Sequence, residues 1–258
     1  MEFFEKLERR VKMISSKLCV GIDPHASEFE PGNFSSDSVL EFCLEIVNQT
    51  APFAAAFKIN SAFFEALGAE GWKNLEILTR KIKDLEIPII LDCKRGDIGS
   101  TAEAYATAFF EKFIFSDSVT LSPFLGRDSV APFLKFPGRG VFILCKTSNP
   151  GSCDFQTLTL QDGSPLFMHI PKIFCTPGNE GKIGLVVGAT DPSSLKMVSE
   201  KFPGFWILAP GLGAQGGDLK AAVAAAGPRA IFPVSRGIYK NGNFRENAEK
   251  FRDALNSV

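Results

Sequence analysis

Two histidines, His25 and His169, are all that this 258-residue chain holds, too few for a multi-histidine metal centre. Its six cysteines (Cys19, Cys43, Cys93, Cys145, Cys153, Cys175) are scattered and form no Cys-x-x-Cys pair. That pattern argues for reduced, mostly buried thiols and against a disulfide framework or a zinc site. No apolar run approaches the roughly 20 residues that span a bilayer. The opening Met-Glu-Phe-Phe-Glu-Lys-Leu-Glu-Arg-Arg is too charged for a signal peptide. A formal charge of −1 lacks the basic footprint of a nucleic-acid binder. The expected setting is therefore the cytoplasm, with neither nucleic acid nor membrane as partner. Tyrosine and tryptophan number two each against 25 phenylalanines, an excess that reads as filling for cores and interfaces.

What is present is ordinary globular composition, 45% apolar and 22% charged. Eight short apolar or β-branched runs punctuate the chain: Leu18–Ile22, Ala54–Ile59, Ile87–Asp92, Ser118–Leu121, Gly140–Cys145, Lys182–Gly188, Phe205–Ala209 and Ala230–Val234. The intervals have the length of crossover helices, as in Ala62–Asp84 and Ser100–Lys112. Repeated βα alternation predicts a parallel sheet. Eight repeats at this length predict an α/β fold, a (β/α)8 TIM barrel formed as a single domain over residues 1–258. Residues 1–16 read as an N-terminal helix leading into the first strand. Ser100-Thr101-Ala102-Glu103 matches a capping box and predicts a helix start there. Thr147 to Pro165, rich in Ser, Asn, Pro, Gly and Asp, reads as a long loop after the fifth strand, and such loops are often lids.

The third run ends in Leu91-Asp92-Cys93-Lys94-Arg95-Gly96-Asp97-Ile98. Charges leaving a buried strand are costly unless they pair or take part in chemistry. Side chains at i and i+2 share a strand face, so Asp92 and Lys94 point one way while Cys93 and Arg95 turn away. In a barrel the C-terminal strand ends form the active face. Asp23, Lys58, Asp92, Lys94, Ser148, Gln215 and Arg236 all fall at such ends. Lysines alternating with aspartates there can hold an ammonium ready as a general acid. A structural ion-pair network at the rim is the plainer explanation for any one of these residues. His25 reads as a loop residue.

Pro210-Gly211-Leu212-Gly213-Ala214-Gln215-Gly216-Gly217-Asp218 contains a literal Gly-x-Gly-x-x-Gly. Its late position leaves room for about one more βα unit, and the acid expected some 20 residues on is missing. Both facts argue against a dinucleotide site. Phosphate sites in barrels are often built from the loops after strands seven and eight. The glycine-rich turn offers backbone N–H groups, and Ser235-Arg236-Gly237 adds a guanidinium. The expected ligand is a small phosphate monoester.

With these residues assembled, the chain resembles the orotidine 5′-phosphate decarboxylases. More narrowly, it resembles the bacterial branch with Gly-Ile-Asp-Pro-His near the start (Gly21–His25) and Leu-Asp-x-Lys-Arg-Gly-Asp-Ile in the middle. The matching pieces run from Gly21 to Arg236. The resemblance implies a homodimeric barrel that converts orotidine 5′-phosphate to uridine 5′-phosphate and CO2 in pyrimidine biosynthesis, without cofactor or metal. It implies that Lys94 protonates C6 of the pyrimidine and that Asp92 lies near the departing carboxylate. Lys58 and Asp23 would contact the ribose, Ser148 would bind the base, and Pro210 would line it. Gln215, Gly216, Gly217, Arg236 and Gly237 would hold the phosphate. Asp97, Ile98 and Thr101 would reach the neighbouring subunit's site. Two rivals are a Mg²⁺-dependent 3-keto-gulonate-phosphate decarboxylase or hexulose-phosphate synthase, and a non-catalytic barrel that binds nucleotide phosphate.

Overall fold

Eight parallel strands close into one barrel in sequence order, with the last hydrogen-bonded back to the first. In this computed structural model, which describes residues 1–112, 114–212 and 218–258, the strands are β1 (Leu18–Ile22), β2 (Ala56–Asn60), β3 (Ile89–Arg95) and β4 (Ser118–Leu121). They continue with β5 (Gly140–Lys146), β6 (Ile183–Val187), β7 (Trp206–Leu208) and β8 (Ala230–Val234). Each run marked in the sequence overlaps one strand, with β2, β3 and β5 extending one to three residues past the marked ends, and helices fill the crossovers. Among the described residues no helix is long and apolar enough to cross a membrane.

Strand periodicity divides the apolar residues into two cores. Val20, Phe57, Leu91, Val119, Ile143, Leu185, Ile207 and Phe232 pack outward in the larger core, shared with helices such as α2 (Ser36–Thr50) and α3 (Gly68–Asp84). The alternate residues Cys19, Ala56, Ile90, Phe142, Trp206 and Ile231 form a second core inside the barrel. Helix α1 (Phe3–Ile14) plugs that core with Phe3, Phe4 and Leu7. Phe142 meets Phe3 and Phe4 edge-on, with ring centroids 6.1 and 5.2 Å away. Gly184 makes this possible, since a Cβ there would lie 2.7 Å from ring carbons of both Phe4 and Phe142. Asp117 ties the plug to the barrel, accepting from Lys6 Nζ at 3.1 Å and from the Ile89 N–H at 2.9 Å.

One local expectation needs correction, and one loop shows order that its composition does not announce. Helix α4 (Gly99–Thr107) is capped at Ile98 without any side-chain bond, so Ser100 and Glu103 do not form the expected capping box. Gly99, at φ +55, turns the chain into the helix one residue early, which puts Ser100 inside the first turn. Glu103 instead pairs with Lys135 at 2.7 Å. The stretch after β5 is also more ordered than its composition suggests. A 3₁₀ turn spans Pro150–Asp154, a bridge joins Thr159 to Pro165, and the Phe167 N–H donates to the Gln156 carbonyl at 2.9 Å.

Candidate active site

Above the aromatic floor, the same inward-facing positions turn polar. Two residues beyond Ala56 stands Lys58, two beyond Ile90 stands Asp92, and two beyond Pro233, itself two beyond Ile231, stands Ser235. These side chains border a cavity of about 430 Å³ at the C-terminal ends of the strands. Leu144, Val186, Leu208 and Pro233 form its apolar base.

Lys58 is the buried cation of the site. Its Nζ lies 2.8 Å from Asp92 Oδ2 and 3.6 Å from Asp23 Oδ1, with 7% of its side chain exposed. Burial alone would push its pKa down. The Asp23 and Asp92 carboxylates outweigh that effect and hold it above the ordinary lysine range. Asp92 shows the converse balance: burial opposes its charge, but Lys58 and Lys94 keep its pKa below the usual carboxylate range. Thr120 steadies the arrangement, donating from Oγ1 to Asp92 Oδ1 at 3.0 Å and accepting from the Lys94 N–H at 2.9 Å.

Lys94 reaches Asp92 Oδ1 at 2.6 Å, yet half of its side chain is exposed to the cavity mouth. Simple alternation is not how it gets there. Its φ of +43 is left-handed, and the β3–β4 register shifts between Leu91 and Arg95. A non-glycine residue in that region carries a conformational cost. Arg95 turns away, pairing with Glu65 at 2.6 Å and lying over the Tyr105 ring at 5.3 Å. Cys93 is buried on the far face, and burial pushes its thiol up to about 12.

Asp23 is held by residues from the other end of the chain. Its N–H donates to Tyr239 Oη at 2.8 Å, and Ser235 Oγ donates to its Oδ2 at 2.6 Å. The Tyr239 hydroxyl itself donates to the Gly21 carbonyl. Burial, with Asp23 adding to it, raises the Tyr239 pKa well above the ordinary tyrosine value, so the hydroxyl stays a donor.

On the opposite wall, Thr147, Ser148 and Asn149 follow β5. Gln156 braces them, accepting from the Thr147 N–H and donating to Thr147 Oγ1, both at 2.8 Å. Lys146, also buried, donates to Ser152 Oγ at 2.8 Å and so fastens the loop to the strand.

Of the residues expected from sequence, Asp23, Lys58, Asp92, Lys94, Ser148, Pro210, Arg236 and Gly237 border this one cavity. Gln215, Gly216 and Gly217 lie outside the described residues. Asp218 beyond them caps α5 (Leu219–Ala226), accepting from the Lys220 and Ala221 N–H groups. Asp97, Ile98 and Thr101 do not border the cavity of their own chain, and Ile98 is 53% exposed. His25, set aside as a loop residue, does border it, with its ring 4.4 Å from that of Phe63. Thr120, Asn60 and Ser235 were also missed. Period-two counting up β2, β4 and β8 would have pointed to them.

Residues 16–251 match the family described as orotidine 5′-phosphate decarboxylase / HUMPS. The chain belongs to that family. It is similar to the orotidine 5′-phosphate decarboxylase of Roseiflexus castenholzii, 47% identical over 272 residues and covering 100% of this chain and 98% of the relative. The Bordetella avium enzyme of the same name is 43% identical over 278 residues, covering 100% of both. Among solved structures, Leishmania donovani OMP decarboxylase superposes with a TM-score of 0.89 at 40% identity, covering 100% of this chain and 98% of that one.

The ion pairs make the site pH-sensitive in a definite direction. Because the folded-state pKa of Asp92 is depressed, its contribution is complete above the unfolded value of 3.8 and fades as pH falls toward the lower folded value. Lys58, whose pKa is raised, loses its contribution only as pH climbs past 10.5. Asp92→Asn should cost about 3 kcal/mol near neutral pH by leaving Lys58 half-paired. In urea unfolding from pH 7 to pH 3, the gap between wild type and variant should narrow once pH falls below 4. A constant gap would contradict the assignment.

Proposed function

We propose that this protein is a carboxy-lyase that converts orotidine 5′-phosphate to uridine 5′-phosphate and CO2, the reaction for which its relatives are named. The observation that carries the reading is the array Asp23–Lys58–Asp92–Lys94, linked by contacts of 3.6, 2.8 and 2.6 Å at the mouth of a family barrel. Breaking the C6–carboxylate bond leaves an electron pair on C6. No adjacent carbonyl is placed to spread that charge as a simple enolate, so preorganised positive charge must hold it. Lys94 supplies the ammonium and then the proton, which moves from Nζ to C6, and solvent restores it. Asp92 lies beside the departing carboxylate and fixes Lys94.

The remaining residues bind. Lys58 and Asp23 contact the ribose, Ser148 binds the pyrimidine and Pro210 lines it. Arg236 and Gly237, with the Gln215-Gly216-Gly217 turn, grip the phosphate. That remote grip offers binding energy for ordering the reacting end. Asp97, Ile98 and Thr101 complete the site of a second copy in a homodimer. The exposure of Ile98, and of Phe124 at 87% beyond β4, supports this by offering apolar surface for a partner. A Mg²⁺-dependent sugar-phosphate decarboxylase fits less well, because the Lys58 ammonium already stands between the two carboxylates that a divalent ion would need. Six free thiols fit a cytoplasmic enzyme.

Lys94→Ala should lower kcat at least about a thousandfold while thermal unfolding is unchanged. Near-normal turnover of orotidine 5′-phosphate by that variant would sink the mechanism. Arg236→Ala should raise KM on the order of a hundredfold through the lost charge-assisted contact. An unchanged KM in steady-state assays would remove Arg236 from the phosphate site.

A further inference from the structure

Ser235 stands directly after β8 and one residue before Arg236. Its Oγ donates to Asp23 Oδ2 at 2.6 Å, across the seam where β8 meets β1. A hydroxyl held that close to a carboxylate makes a charge-assisted bond. The barrel has cleared room for it: a Cβ on Gly21 would lie 2.0 Å from Ser235 Oγ. The main chain of Asp23 is pinned separately by Tyr239 Oη at 2.8 Å.

With the N–H and Oδ2 engaged, Asp23 Oδ1 is left buried and without a hydrogen-bond partner, at 3.6 Å from Lys58 Nζ. A buried acceptor in that state is costly unless something supplies a donor. Asp23 borders the cavity, so a donor from a bound ligand can reach it. Without the Ser235 bond the carboxylate could rotate, and Oδ2 could compete with Asp92 for Lys58.

We infer that Ser235 is a positioning residue, which locks the Asp23 carboxylate so that Oδ1 faces a hydroxyl of the substrate's sugar ring. It also couples that carboxylate to the phosphate end of the site, because the next residue is Arg236. The inference rests on the reading of this cavity as a decarboxylase site for orotidine 5′-phosphate. Turnover by the wild-type protein tests that reading by itself. A double-mutant cycle on the active enzyme then tests Ser235.

Ser235→Ala should lower kcat/KM for orotidine 5′-phosphate about tenfold in the wild-type background. In the Asp23→Ala background the same substitution should cost less than about twofold, because its only route of action is gone. Equal losses in both backgrounds would mean that Ser235 acts structurally or touches the phosphate itself, and would overturn the inference. No loss in either background would overturn it as well.

Discussion

The mouth of this barrel depends on one buried ammonium. Lys58 sits with its Nζ between Asp92 and Asp23, two carboxylates from neighbouring strands on either side of β2. Removing Lys58 leaves two carboxylates facing each other, and removing either carboxylate leaves Lys58 half-paired. The carboxylates hold Lys58 charged and the lysines hold Asp92 charged, which is why the pKa of Lys58 moves up while that of Asp92 moves down. Lys94 is then the cation left over. It is tied to Asp92 yet open to the cavity, and so it is the one placed to meet a developing negative charge.

That arrangement needs rigid support from below, and the inner core provides it. Phe3 and Phe4 from α1 meet Phe142 and Trp206 under the polar layer, and small residues at Gly140 and Gly184 let the rings approach. Close-packed interiors resist deformation, so the charged side chains stand on a floor that does not give. Preorganised charge stabilises a transition state because it need not reorient during the reaction. The many phenylalanines are thus part of how the site keeps its shape.

Much of this was legible in the sequence, for identifiable reasons. Strands of a parallel barrel are buried on both faces, so they show as continuous apolar runs, and all eight could be located. For the same reason the runs hide which residues face inward. Only where a polar residue interrupts, as at Lys58 and Asp92, does the inner face declare itself. Thr120 and Ser235 were overlooked because a single hydroxyl at a strand end carries little signal. The Ser235–Asp23 bond joins positions 212 residues apart, a pairing created by barrel closure. Lys94 was expected beside Asp92 on a regular strand, whereas it arrives there through a left-handed residue and a register shift. No spacing rule encodes such a kink. The capping-box pattern at Ser100 failed because Gly99 begins the helix first.

The most direct test is to mix the purified protein with orotidine 5′-phosphate in EDTA-treated deuterated buffer and follow the pyrimidine by NMR. The account predicts complete conversion to uridine 5′-phosphate carrying deuterium at C6, with CO2 released and no metal added. Unchanged substrate, or conversion only after Mg²⁺ is supplied, would contradict it.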